Sequence, residues 1–167
     1  DNRESIHASA ESLSKSFVTF VEDEPLIGDV NDAAKKIHQK LKEIESSTKP
    51  TAIVWGGETT VKIKGSGLGG RNQELALIVA ELAHQDPIRK SWTFLSGGTD
   101  GRDGPTEAAG AIVDQETCKR ILKEGYQVYD FLAENNSYKA LKISNDLLHT
   151  GATGTNVADV QILIVSQ

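Results

Sequence analysis

Residues 51–82, TAIVWGGETTVKIKGSGLGGRNQELALIVAEL, hold a strand, a turn, a glycine loop and a helix in one continuous run. Thr51 to Trp55 is a short β-favouring apolar stretch. Gly56-Gly57-Glu58-Thr59 reads as a turn. Thr60 to Lys64 then alternates, with Val61 and Ile63 on one face and Lys62 and Lys64 on the other. That pattern predicts a hairpin with one wet face. Gly65 to Gly70 follows, and then Leu75, Ile78, Val79 and Leu82 fall at the spacing of an amphipathic helix.

Toward the C-terminus, Pro87 lies beyond that helix, and Trp92 to Leu95 reads as a buried strand. Ala111 to Val113 is a further strand candidate. Asp114 is placed to cap a helix that ends at Gly125, with Lys119, Arg120 and Lys123 in its later turns. Residues 136–142 read as helical. Val157 to Val165 is nearly continuous in apolar residues, which suits a strand buried on both faces. Toward the N-terminus, Ile6, Ala10 and Leu13 predict a helix over 4–15, and Phe17 to Val21 favours β structure. Asp29 or Asn31 can cap a helix whose apolar face is Ala34, Ile37, Leu41 and Ile44. Ser46 to Pro50 is the best candidate for a domain boundary. Strands and helices alternate, so the expected class is α/β: a layered fold with a central mixed, largely parallel sheet flanked by helices.

The 167 residues suffice for one ordinary domain with part of another. No stretch reaches the ~20 apolar residues of a membrane-spanning helix. The net charge of −6 argues against a nucleic-acid surface, yet leaves room for a small anion in a local pocket of donors. The single Cys118 excludes an internal disulfide and fits a reducing compartment, the cytoplasm or the mitochondrion. The chain has no Met and starts at Asp1, as a piece of a longer protein would.

Three polar loops carry the chemistry. Gly65-Ser66-Gly67-Leu68-Gly69-Gly70-Arg71-Asn72 leads into a helix, where free N–H groups and the Arg71 fork suit phosphate. The same residues satisfy the dinucleotide pattern at Gly65, Gly67 and Gly70. The acidic residue that pattern needs is misplaced, because Asp86 sits at a helix end and Asp100 comes too late. Thr99-Asp100-Gly101-Arg102-Asp103-Gly104-Pro105-Thr106 offers two carboxylates that could share Mg²⁺, or one that could accept a substrate proton. An Asx-rich structural turn fits it equally. Thr150-Gly151-Ala152-Thr153-Gly154-Thr155-Asn156 offers hydroxyls, an amide and open backbone N–H groups. Glu58 could reach the same end of the sheet. His149 stands alone, Cys118 reads as packed, and Trp55 and Trp92 read as core.

Gly56-Gly57-Glu58-Thr59-Thr60, Gly69-Gly70-Arg71-Asn72-Gln73-Glu74-Leu75, Gly98 to Thr106 and Gly151 to Val157, in that order, resemble the MOFRL domain of class II glycerate kinases. The resemblance is strong over 51–167. Residues 1–50 are similar, more loosely, to the last helix–strand–helix of that family's N-terminal kinase domain. It implies ATP-dependent phosphorylation of D-glycerate, with 2-phosphoglycerate favoured, in a cleft between two domains. It matches Arg71 to the family's catalytic arginine. The family's catalytic lysine belongs to the other domain and has no counterpart here, so this piece alone is expected to be inactive. The expected roles are Arg71 and Asp100 in catalysis, and Asp100 and Asp103 on Mg²⁺. Glu58, Gly69, Gly70, Asn72, Thr99, Thr106, Thr153, Thr155 and Asn156 are expected to bind substrate or nucleotide. Expected ligands are ATP, Mg²⁺ and D-glycerate, with the N-terminal domain as partner and no nucleic acid or membrane. A hydroxypyruvate reductase and a non-catalytic sugar-acid or nucleotide-binding module are the alternatives.

Overall fold

The computed structural model describes residues 1–166. In chain order the elements are α1 (Asn2–Leu13), β1 (Val18–Val21), β2 (Gly28–Asp29), α2 (Val30–Ile44), β3 (Thr51–Gly56), β4 (Thr59–Thr60), α3 (Arg71–Gln85), β5 (Ser91–Gly98), β6 (Gly110–Asp114), α4 (Thr117–Lys123), α5 (Val128–Ala133), α6 (Ser137–Ser144), β7 (Leu147–Leu148) and β8 (Asp159–Ser166). Six strands form one sheet in the order β1-β3-β8-β5-β6-β7, and β2 pairs with β4 separately.

The α/β class, the mixed sheet and the flanking helices hold. The parallel share is the correction. In the large sheet only β1–β3 is parallel; β3–β8, β5–β8, β5–β6 and β6–β7 are antiparallel. The reason is an inserted strand. β3 and β5 both oppose β8, so they run the same way, as a strand–helix–strand unit should. They are not neighbours, because the last strand of the chain lies between them.

The helices divide between the two faces. Ile53, Trp55, Trp92, Phe94, Leu163 and Val165 point into one core with Ile37 and Leu41 of α2 and Leu75, Leu77 and Val79 of α3. Each fully buried side chain of this size contributes about 2 kcal/mol. On the other face, a Cβ at Gly56 would strike Asn2 and Ile6, so α1 crosses that side of β3. Further along this face Leu95, Ile162 and Ile164 are half-buried and Ile112 is exposed. β8 is therefore buried on one face and half-covered on the other, not buried on both as its apolar run predicts.

Other expectations shift for local reasons. Residues 1–50 form the expected helix–strand–helix, but β1 joins the large sheet and α2 joins the single core, so no structural break falls at Ser46–Pro50. α3 is buried almost all round, from Asn72 to Ala80. Residues 61–64 are not a strand, and there is no hairpin with β3. Instead, Thr59–Thr60 pairs in parallel with Gly28–Asp29. The Asn135 side chain then binds the backbone beyond, accepting from the Lys64 and Gly65 N–H groups at 2.5 and 3.0 Å and donating to the Lys62 carbonyl at 3.1 Å. The N-cap position of α4 is Glu116, whose side chain makes no cap hydrogen bond, and Asp114, two residues earlier, accepts from the Glu116 N–H at 2.8 Å. No helix among the described residues is long and apolar enough to cross a membrane.

Candidate active site

Sheet register decides where the loops meet. Gly98, at the end of β5, pairs with Asp159, at the start of β8, and Gly56, at the end of β3, pairs with Val160. The second and third loops therefore leave or enter the sheet at one end, and the first loop is brought to that end by the Arg71 side chain, which bonds to Asp159.

The second loop ties the other two together. Thr99 donates from Oγ1 to the Ala158 carbonyl at 2.7 Å and accepts from the Val157 N–H at 2.9 Å. Thr153 Oγ1 donates to the Thr99 carbonyl at 2.5 Å. Gly101 has φ +85°, and a side chain there would run into the Gly151 carbonyl. Ala158 is held at φ 74°, a strained value for a residue with a Cβ, just before Asp159. On its other side the second loop reaches α3 through Asp103.

Asp103 corrects the expected metal pair. Its carboxylate is only 2 % exposed, and five N–H···O contacts converge on Asp103 from Asn72 and Gln73. Four of these meet the carboxylate and one meets the carbonyl. Two are the backbone N–H groups of Asn72 and Gln73, so Asp103 caps the N-terminus of α3 from a distant loop. Burial holds its carboxyl pKa above the ordinary value, and these hydrogen bonds offset that only in part. No lone pair is left facing solvent for a metal. Asp100 stays exposed and spends one oxygen on the Arg102 N–H at 3.0 Å. Among the described residues no group of three His, Cys, Asp or Glu side chains could hold a metal ion.

Asn72 and Thr106 are likewise spent inside. Asn72 bridges Asp103 and the Ser96 hydroxyl. Thr106 Oγ1 donates to the Asp103 carbonyl and accepts from Gln73 Nε2. Both side chains are buried, so neither is presented to a ligand. Thr153, Thr155 and Asn156 are exposed on the third loop, with the Thr155 N–H bound back to Thr153 Oγ1.

The glycines of the first loop serve packing more than was expected. A Cβ on Gly65, Gly67 or Gly69 would strike Glu134, Asn136 or the Ser137 hydroxyl, and one on Gly70 would strike the Asp103 carboxylate. The α3 terminus that a dinucleotide would need is thus filled by Asp103. Upstream of that cap, no acceptor among the described residues takes the Gly69 or Gly70 N–H. Both glycines line a cavity of about 520 Å³, with Arg71, Glu58, Thr59, Val61, Ile63 and Pro105 among its walls. Arg71 enters this cavity beside those free amides. Its Nε and Nη2 donate to the two oxygens of Asp159 at 2.6 and 3.0 Å, and its Nη1 lies 3.8 Å from Glu58. The Asp159 hydrogen bonds hold the guanidinium pKa above its ordinary value, against the opposing effect of burial.

The MOFRL family profile matches residues 51–159. The chain belongs to the MOFRL family. Its relatives include a D-glycerate 2-kinase of Thermotoga maritima, 45 % identical over 142 residues, which covers 82 % of this chain and 33 % of the relative. Human glycerate kinase is 45 % identical over 134 residues, 78 % of this chain and 26 % of its own length. This MOFRL chain therefore spans about a third or less of the curated relatives it matches. A crystal structure of Thermotoga maritima glycerate kinase superposes with a TM-score of 0.92 at 39 % identity, over 99 % of this chain and 40 % of that one. A Pyrococcus horikoshii structure does so at 0.90 and 39 % identity, over 100 % and 39 %.

Five side chains of this MOFRL site escaped the sequence reading. Asp159 is the lone charge at the head of an apolar run, and that misfit was the available signal. Asn135 and Asn136 form a polar doublet between two helices, with Asn135 at φ 52°. Asn136 Oδ1 accepts from the Leu68 N–H. Glu74 is buried in α3, where it accepts from Asn135 at 3.0 Å, and burial raises its carboxyl pKa. Ser137 is 1 % exposed, and its hydroxyl has no hydrogen-bond partner among the described residues.

Proposed function

We propose that this chain forms the MOFRL part of an ATP-dependent glycerate kinase that phosphorylates D-glycerate, with 2-phosphoglycerate the favoured product. The observation that carries this reading is Arg71: a guanidinium fixed at the wall of a cavity, beside two unengaged backbone amides. Phosphoryl transfer relies on positioning and on stabilising charge spread over the phosphoryl oxygens. Gly69 and Gly70 N–H bind phosphate oxygens of ATP, and Arg71 neutralises the group in transit. Thr153, Thr155 and Asn156, on the flanking loop, meet glycerate or nucleotide.

The donor set also suits Mg²⁺. Asp100 keeps a carboxylate oxygen free of protein donors, and Mg²⁺ takes one or two carboxylates with phosphate oxygens and water. Bound there, Mg²⁺ would offset phosphate charge. By family likeness, residues 1–50 are read as the end of the N-terminal kinase domain and 51–167 as the MOFRL domain, although β1 and α2 pack into one sheet and one core with the MOFRL residues. The remaining polypeptide supplies the catalytic lysine, and the single Cys118 supports a reducing compartment, the cytoplasm foremost.

The test is a coupled ADP-release assay on the full-length protein with a panel of hydroxy acids. D-Glycerate is expected to be the preferred acceptor. Arg71→Lys keeps a cation opposite Asp159 but loses the planar fork, so kcat is expected to fall by roughly 10³-fold. An unchanged kcat removes Arg71 from the reaction. NADH-dependent reduction of hydroxypyruvate without ADP release would replace the kinase reading altogether.

A further inference from the structure

β8 carries one buried charge. Asp159 opens that strand with 1 % of its side chain exposed, and both carboxylate oxygens face Arg71. Its place is fixed three ways. It pairs with Gly98 across the sheet, its carbonyl accepts from Asn2 Nδ2 at 3.0 Å, and the preceding Ala158 carbonyl is held by Thr99. A carboxylate on a central strand is a rigid anchor, whereas Arg71 has a long and otherwise mobile stem.

The guanidinium has two bidentate edges. Asp159 takes the Nε–Nη2 edge. The Nη1–Nη2 edge remains, and its nearest anion is Glu58, which is 60 % exposed and at 3.8 Å too far for a hydrogen bond. The two carboxylates are therefore unequal: one is buried and bonded, the other loose and solvated. Planar fork geometry lets one guanidinium hold a carboxylate on one edge and two phosphate oxygens on the other.

We propose that Asp159 is the positioning residue of this site: it fixes the Arg71 guanidinium so that its free edge meets two oxygens of the phosphoryl group, while Glu58 yields to that anion. This rests on the kinase reading for the identity of the anion, but the positioning itself is separable from it. Asp159 touches no substrate and acts only through Arg71.

The experiment is a double-mutant cycle in the full-length enzyme, with Asp159→Asn, Arg71→Lys and the pair. Asp159→Asn is isosteric but opposes an amide to Nη2, and a misplaced catalytic group costs about 10²-fold in kcat. The KM for D-glycerate is expected to stay within about threefold. The paired variant is expected to be no slower than Arg71→Lys alone, because a positioning residue has nothing left to position. Losses that multiply, or an unchanged kcat in Asp159→Asn, overturn the proposal. If Asp159→Asn folds poorly, Asp159→Ser, which leaves room for water beside the guanidinium, carries the same expectations. Should the full-length protein release no ADP with any hydroxy acid, the kinase reading fails, and calorimetry with tripolyphosphate reads the positioning alone. Binding about tenfold weaker in Asp159→Asn supports it, and equal binding overturns it.

Discussion

Asp103 and Cys118 show how little a residue's type says before its neighbours are known. In the sequence Asp103 is one of two carboxylates three residues apart, a fair Mg²⁺ pair. In the fold it is buried under donors from Asn72 and Gln73, and only Asp100 keeps an open face. Glycine was legible as a marker of close approach, but what approaches Gly65, Gly67 and Gly69 is the 134–137 backbone and side chains. The reading of Cys118 as a packed thiol holds: it is buried in α4. Burial, with the Glu81 carboxylate beside it, pushes the thiol pKa far above its ordinary value. A disulfide-exchange reagent is expected to leave the folded chain untouched and to titrate one thiol after unfolding. Prompt reaction with native protein would place Cys118 at the surface.

At the scale of elements, periodicity located most helices and the central strands within a few residues. Spacing identifies a buried face, and β5 buries Trp92 and Phe94 as predicted, but it does not show that α3 is covered almost all round or that β3 is buried at every position. The hairpin failed because alternation at Val61 to Lys64 reports only which side chains are wet. It does not report what satisfies the backbone, and here Asn135 does so from 71 positions away. α3 depends on a similar long-range partner. Its N-cap position is Gly70, which has no side chain to offer, and Asp103 supplies the carboxylate. Asp103→Ala leaves the Asn72 and Gln73 amides buried without that acceptor, so urea unfolding is expected to show a loss of about 2–4 kcal/mol. Asp103→Asn, which keeps one acceptor oxygen, is expected to lose less. Equal stability of all three proteins would mean that α3 is capped some other way.

The whole molecule adds an interaction that neither a residue nor an element contains. Glu74 of α3, Asn135 after α5 and the 62–65 strap form one buried polar contact. Burial raises the Glu74 carboxyl pKa, partly countered by the Asn135 hydrogen bond and the Lys64 charge. The folded state therefore holds this proton more tightly than the unfolded state, and stability drains away as pH rises from the unfolded value through the folded one. Glu74→Gln keeps the acceptor for Asn135 and removes the charge. It is expected to match the parent below about pH 4, where both are neutral, and to exceed it at pH 7. A variant less stable than the parent at pH 7 would show that the carboxylate is compensated in the fold. The sequence by itself determined most of the helices, the central strands and the order of the polar loops, since each rests on spacing along the chain, and its ordered motifs carried the resemblance to the family. Tertiary structure alone decided that β8 separates β3 from β5, that Asp103 caps α3, and that Asp159 grips Arg71. Those pairings join positions 30 to 114 residues apart, as Asp103 with Gln73 and Val165 with Thr51 show, and no local pattern encodes which distant partner satisfies a buried charge or an open strand edge.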